Sequence, residues 1–169
     1  TKRVEALNNG VDITLQASEE DLKANQQLLF TAELAAIAAA TIYIVTVPTP
    51  VHADKTPDLG PLLNATKTIA GVLKKGDIVI YESTVYPGCT EEDCIPVMEE
   101  ISGLKFKEDF KVGYSPERIN PGDKEHTLQN VVKVVSGCCE DSLEEIAKTY
   151  ELVVAAGVHR AASIKVAEA

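Results

Sequence analysis

Short, nearly continuous apolar runs alternate along the chain with segments of helical period. IYIVTV (42–47), DIVIYES (77–83), FKVGYS (110–115) and VVKVVS (131–136) have the length and composition of strands buried on both faces. QLLFT (27–31) and LVVAA (152–156) are shorter strand candidates. Between them, Leu59, Leu62, Leu63, Thr66, Ile69, Ala70 and Leu73 recur at three- and four-residue steps, with Asp58 placed to cap the helix and Gly76 after its end. Ser18 with Asp21, and Thr90 with Asp93, have capping-box spacing and predict helix starts near 19 and 91. The alanine cluster at 35–40 favours helix, and there is no internal repeat. Strand and helix alternating in this way predict an α/β fold built on a doubly wound parallel sheet.

Composition narrows the classes. The chain has 169 residues, 45% hydrophobic and 25% charged, enough for one domain with a substantial core. A net charge of −10 with no Lys/Arg cluster argues against nucleic acid as a partner, so an anionic ligand would need local donors. No apolar stretch approaches membrane-spanning length, and TKRVEALNNG lacks a signal-peptide core, which makes a cytoplasmic location and no membrane partner the expectation. Cys89, Cys94, Cys138 and Cys139 fit neither a CxxC pair nor a zinc framework, so no metal site is expected and the thiols read as reduced and structural.

The ends differ from a complete nucleotide-binding sheet. Such a domain opens with a strand, a GxGxxG turn and a helix, whereas here RVEALNNG already reads as helix, and the final AASIKVAEA is helical in composition without a stop signal. The sequence therefore reads as a middle cut from a longer protein.

Three motifs stand at predicted strand ends. VPTP (47–50) cannot continue a central strand and fixes a turn where such sheets bind ligands, although prolines in a loop also serve structure alone. The hydroxyls of EST (82–84) either bond the adjacent turn or face the same edge. In YSPERINPGD (114–123), Glu117 beside Arg118 offers an acid or base next to a cationic fork suited to phosphate or carboxylate, the bland alternative being a solvated ion pair. Consecutive strands would bring all three to one edge.

VPTP, ESTVYPG and GYSPERINPG, in this order, closely resemble the UDP-glucose/GDP-mannose dehydrogenase family, and the SPERINPG form resembles its branch acting on UDP-N-acetylhexosamines. The resemblance covers Arg3 to Ala169. It implies a Rossmann-like α/β fold, incomplete because the first strand and Gly-rich turn are absent, with residues 1–160 a partial NAD-binding domain and 161–169 the start of a central linker helix. It implies a two-step oxidation of a sugar C6 alcohol to a carboxylate with NAD, through a cysteine in a later domain, for surface polysaccharides such as capsule and O-antigen. The expected partners are a UDP-sugar and, for the longer parent, further copies in a homodimer or higher oligomer.

Carried over by residue, the resemblance assigns cofactor contacts to Arg3, Val47, Thr49, Pro50, Ser83 and Thr84, and places Thr84 near the reacting centre as well. Glu117 matches a glutamate that acts in proton transfer, so Glu117 and Thr84 are the catalytic candidates. Substrate contacts are expected from Glu117, Arg118, Ile119 and Asn120. Pro121 stands where the UDP-glucose branch carries a second glutamate, which makes UDP-glucose a poorer match. Cys89 does not match the family's catalytic cysteine, and Lys165 does not match its active-site lysine, which would fall two positions beyond Ala169. The chain alone is then expected to be inactive and to bind NAD poorly. A noncatalytic binding or interaction module with the same fold, and a thiol redox protein, are the alternatives that the residues leave open.

Overall fold

The computed structural model describes residues 1–14, 17–25, 27–118 and 130–169. They form two compact units, Thr1–Ala39 and Ala40–Ala169. In the first, α1 (Lys2–Asn8) is capped by Thr1, and α2 (Glu19–Ala24) opens with the expected box, in which Ser18 Oγ accepts from the Asp21 N–H and the Asp21 carboxylate accepts from the Ser18 N–H. A short α3 (Leu34–Ile37) lies within the alanine-rich stretch. The strand expected at 27–31 is absent: the described residues there are irregular, with Leu28 and Leu29 exposed. An apolar run becomes a strand only where a neighbour takes its N–H and C=O groups, and no ladder partner is present among the described residues.

The second unit carries a five-stranded sheet in the order β1 (Ile42–Val45), β2 (Ile78–Tyr81), β3 (Lys111–Tyr114), β4 (Lys133–Gly137) and β5 (Val158–Arg160). β1, β2 and β3 are parallel, with Ile42 beside Ile78 and Ile78 beside Lys111. All four residues of β2 are buried, which explains its unbroken apolar run. Ile78 and Ile80 face α6 (Glu140–Glu151) and pack with Val135, Ile146, Ala147 and Tyr150. On the opposite face Tyr81 reaches α4 (Gly60–Ala70) and α5 (Ile95–Ser102), sharing a 2.8 Å hydrogen bond with Thr66 and approaching Met98 Sδ at 3.9 Å. Helices on both faces make the sheet doubly wound.

Three local expectations are corrected. The sheet is mostly rather than wholly parallel: β4 runs antiparallel to β3, pairing Gly113 with Gly137 and Tyr114 with Ser136, while β5 is parallel to β4. A parallel return would need a crossover helix, and residues 116–130, with Pro116, Pro121 and Gly122, lack the apolar period of one. The strand expected at 152–156 is the turn after α6, with Leu152 84% exposed, and the strand follows at β5, an edge whose His159 and Arg160 face outward. The helix expected near 91 begins instead as a π-helical turn, Thr90–Cys94, leading into α5. Its Thr90 N–H is satisfied not by Asp93 but by Glu168 of α7 (Ile164–Glu168). Asp58 does serve the start of α4, where its Oδ1 accepts from Gly60 N at 2.8 Å.

Candidate functional site

The carboxyl ends of β1, β2 and β3 open into a cleft of about 340 Å³, walled by residues 46–49, residues 82–84 and Glu117. Residues from all three sequence motifs thus line one edge. The prolines of VPTP release the chain from β1, and Ser83 Oγ ties the two neighbouring loops together by donating to the Val47 carbonyl at 2.6 Å. Ser83 is buried, and its own carbonyl accepts from the Tyr114 hydroxyl at 3.1 Å. Burial, with the Glu168 carboxylate second, pushes the Tyr114 phenol up to about 12. Thr84 and Pro50 are exposed and Val47 half-buried. Thr49 Oγ1, on the cleft wall, is buried and has no hydrogen-bond partner among the described residues. A buried hydroxyl left in this state costs free energy unless something polar reaches it.

On the far wall, Ser115 Oγ donates to the Val134 carbonyl at 2.6 Å and Ser136 Oγ to the Tyr114 carbonyl at 2.8 Å, fastening β3 to β4. Continuing their register beyond Tyr114 sets Glu117 opposite Lys133. Lys133 is only 6% exposed. Its Nζ lies 3.6 Å from Glu82 Oε1 and 3.8 Å from Glu117 Oε2, donates to the Pro116 carbonyl at 3.3 Å, and sits 5.6 Å from the centre of the Tyr150 ring. Tyr150 donates its hydroxyl to Glu82 Oε1. Burial and the adjacent Glu82 charge raise the Tyr150 phenol well above its ordinary range, so it remains a donor. The Glu117 side chain is 44% exposed and faces the cleft, and Arg118 is exposed beside it.

Beyond Thr84 the chain turns through Pro87 and Gly88, whose φ of +102° suits glycine. The amides of Gly88 and Thr90 donate to Glu168 Oε2 and Oε1 at 2.5 and 2.9 Å, so a carboxylate that is 7% exposed ties α7 to the turn behind Thr84. Cys89 and Cys94 are completely buried. Rather than being lowered by a helix N-terminus, the Cys89 thiol is held well above its usual range by its contact with Cys94 and by burial, which removes it as a nucleophile. Cys139 is exposed at the start of α6, where contact with the Ser142 hydroxyl lowers its pKa.

Among the sequence candidates, Thr49, Ser83, Thr84, Val47 and Glu117 share the cleft. Arg118 adjoins Glu117, and Pro50 follows Thr49. Arg3 is exposed on α1 in the Thr1–Ala39 unit. Ile119 and Asn120 lie outside the described residues, as does Pro121. Sequence reasoning missed Glu82, Lys133, Tyr150 and Glu168. A lone lysine inside the apolar run VVKVVS was the available signal, but a parallel reading of that strand sends it to the opposite edge.

The model of the UDP-glucose/GDP-mannose dehydrogenase family, NAD binding domain, matches residues 1–154. A UDP-N-acetyl-D-glucosamine 6-dehydrogenase of Salmonella typhi is 52% identical over 168 residues, covering 99% of this chain and 40% of that protein. One of the same name from Pseudomonas aeruginosa is 54% identical over 167 residues, again 99% and 40%. The chain thus spans about 40% of the length of these curated relatives. Among solved structures, the NDP-N-acetyl-D-galactosaminuronic acid dehydrogenase of Methanosarcina mazei Go1 superposes with a TM-score of 0.89 at 29% identity, over 99% of this chain and 37% of that one. A family match across nearly the whole chain, joined to a doubly wound sheet whose three motif loops line one cleft, means that this chain belongs to the UDP-glucose/GDP-mannose dehydrogenase family, within its NAD binding domain.

Proposed function

We propose that this chain is the cofactor-binding part of a longer NAD-dependent dehydrogenase that oxidises the C6 alcohol of a UDP-N-acetylhexosamine to the uronic acid. The activities named for the Salmonella and Pseudomonas relatives support the substrate class. The observation that carries the cleft's role is the buried, unpartnered Thr49 Oγ1 in a cleft that Thr84 and Glu117 also line. A hydroxyl in that condition fits a polar ligand, and the donor set suits NAD. Val47, Thr49, Pro50 and Thr84 would hold the cofactor at the sheet edge, with Ser83 fixing the loops and Arg3 serving the adenosine end. Bound there, NAD supplies a hydride acceptor.

The chain's own residues handle position and protons. Glu117 presents a carboxylate to the cleft that can accept the proton leaving the substrate hydroxyl, directly or through a water. Arg118 offers a fork of donors to the sugar nucleotide, and Ile119 and Asn120, which lie outside the described residues, are assigned to the same substrate by sequence. Converting an alcohol to a carboxylate removes four electrons, so two equivalents of NADH form per sugar and one water is consumed. In this proposal residues 1–160 form the NAD-binding part and 161–169 begin a linker helix. The longer protein assembles as a homodimer or larger oligomer in the cytoplasm. Among the described residues no helix is long and apolar enough to cross a membrane.

The test is turnover of a UDP-sugar panel by the longer protein with NAD, followed as NADH absorbance. The expected result is two NADH per UDP-N-acetylglucosamine or UDP-N-acetylgalactosamine, with UDP-glucose at least about tenfold slower, as the loss of specific substrate contacts implies. Absence of NADH with every UDP-N-acetylhexosamine overturns the proposal.

A further inference from the structure

We propose that Lys133 is a positioning residue for Glu117: a buried ammonium that holds two neighbouring carboxylates, Glu82 and Glu117, apart and oriented, so that Glu117, the more exposed of the two, is the one presented for proton transfer in the cleft. The proposal rests on the reading of Glu117 as proton acceptor given above.

Its basis is the charge balance at the end of β4. Glu82 and Glu117 approach the same Nζ from two different strand ends, at 3.6 and 3.8 Å. Their exposures differ: the Glu82 side chain is 13% exposed and accepts from Tyr150, whereas that of Glu117 is 44% exposed. Without Lys133, two carboxylates would face each other where one of them has little water to screen it, and such a pair moves apart. At 6% exposure Lys133 cannot itself reach out to a ligand phosphate. The ammonium is held from every side by this chain: the two carboxylates, the Pro116 carbonyl that begins the Glu117 loop, and the Tyr150 ring of α6. Burying a lysine in this way is costly unless its partners are fixed, and here they are supplied by β2, β3 and α6 together. The arrangement depends on the antiparallel direction of β4, which brings its first residue to the carboxyl edge of the parallel strands.

Four variants of the longer protein test this: Lys133→Met, Lys133→Arg, the double variant Lys133→Met with Glu82→Gln, and Glu117→Gln as reference. Melting temperature and NAD binding are measured for each alongside kcat and both KM values. Lys133→Met is expected to lower kcat at least about tenfold with KM values changed less than about threefold, the signature of lost positioning rather than lost binding. Lys133→Arg, which keeps the charge, should recover at least half of the wild-type kcat. The double variant should be several-fold faster than Lys133→Met alone, because removing the Glu82 charge restores the balance around Glu117. A double variant no faster than Lys133→Met, or a Lys133→Met kcat within twofold of wild type, overturns the positioning role. Should Lys133→Met fail to fold, Lys133→Arg and Glu82→Gln with Lys133→Arg carry the comparison. There, an arginine variant as slow as Glu117→Gln despite native melting overturns the proposal. Unchanged turnover in Glu117→Gln overturns instead the catalytic reading beneath it, so the two failures are distinguishable.

Discussion

Glu168 anchors the turn behind the EST motif, and its removal has a calculable consequence. Its two carboxylate oxygens accept from the backbone amides of Gly88 and Thr90 in a buried setting, with no water-facing alternative for either donor. Glu168→Ala strands both amides, and an unsatisfied buried donor costs about 1–3 kcal/mol, so a loss of about 2–5 kcal/mol is expected. Glu168→Gln keeps the volume and one acceptor but turns an NH2 toward the second amide, for a smaller loss of about 1–2 kcal/mol. With a urea slope of about 2 kcal/mol/M, the alanine variant should unfold at a midpoint about 1–2.5 M lower, with the glutamine variant between it and wild type. The assay is urea unfolding of the chain followed by far-ultraviolet circular dichroism, with the slope compared between variants. An alanine midpoint within about 0.2 M of wild type at unchanged slope would refute the reasoning, since it would mean that the turn's amides find other partners at no cost.

Three further outcomes follow from packing and titration. A Cβ on Gly113 would stand 2.2 Å from Ile146 Cδ1 and 2.4 Å from the Ser136 carbonyl oxygen, and the latter is backbone that cannot swing aside. Gly113→Ala should therefore destabilise by about 3 kcal/mol or more in the same urea assay, and a loss under about 1 kcal/mol would contradict the close β3–β4 approach. Tyr81, Tyr86, Tyr114 and Tyr150 all have phenols raised above their usual value of 10.0. Because the folded state holds the neutral phenol, this contribution to stability is complete below pH 10 and is lost as pH climbs through about 12 for Tyr114, so the tyrosinate absorbance of these four phenols near pH 11 should rise sharply only on unfolding. Alkylation with iodoacetamide at neutral pH should label exposed Cys139 first and leave buried Cys89 and Cys94 unmodified until denaturant is added, as read by peptide mass; early labelling of Cys89 would contradict its burial.

The central strands were readable because burial on both faces writes itself as an unbroken apolar run, as in IVIY of β2. QLLFT carries a similar run without being a strand, since pairing is a property of neighbours and not of the segment. VHR of β5, half exposed at an edge, shows no apolar signal at all. The loops of the site were legible for a simple reason: prolines, hydroxyls and an acid–base pair at strand ends must share an edge if the strands are parallel. That same premise concealed Lys133. β4 runs antiparallel to β3, and only in that direction does Lys133 come between Glu82 and Glu117. Glu168 was equally invisible, because its partners are backbone amides about eighty residues away.

The central proposal is that Glu117, in the same cleft as the unpartnered Thr49 hydroxyl, accepts the substrate proton. Replacing it by glutamine in the longer protein keeps its shape and removes only that capacity. Single-turnover NADH formation with UDP-N-acetylglucosamine should then slow by roughly 10² or more, with NAD binding retained. A Glu117→Gln rate within twofold of wild type would contradict it and leave Glu117 with a structural role beside Lys133.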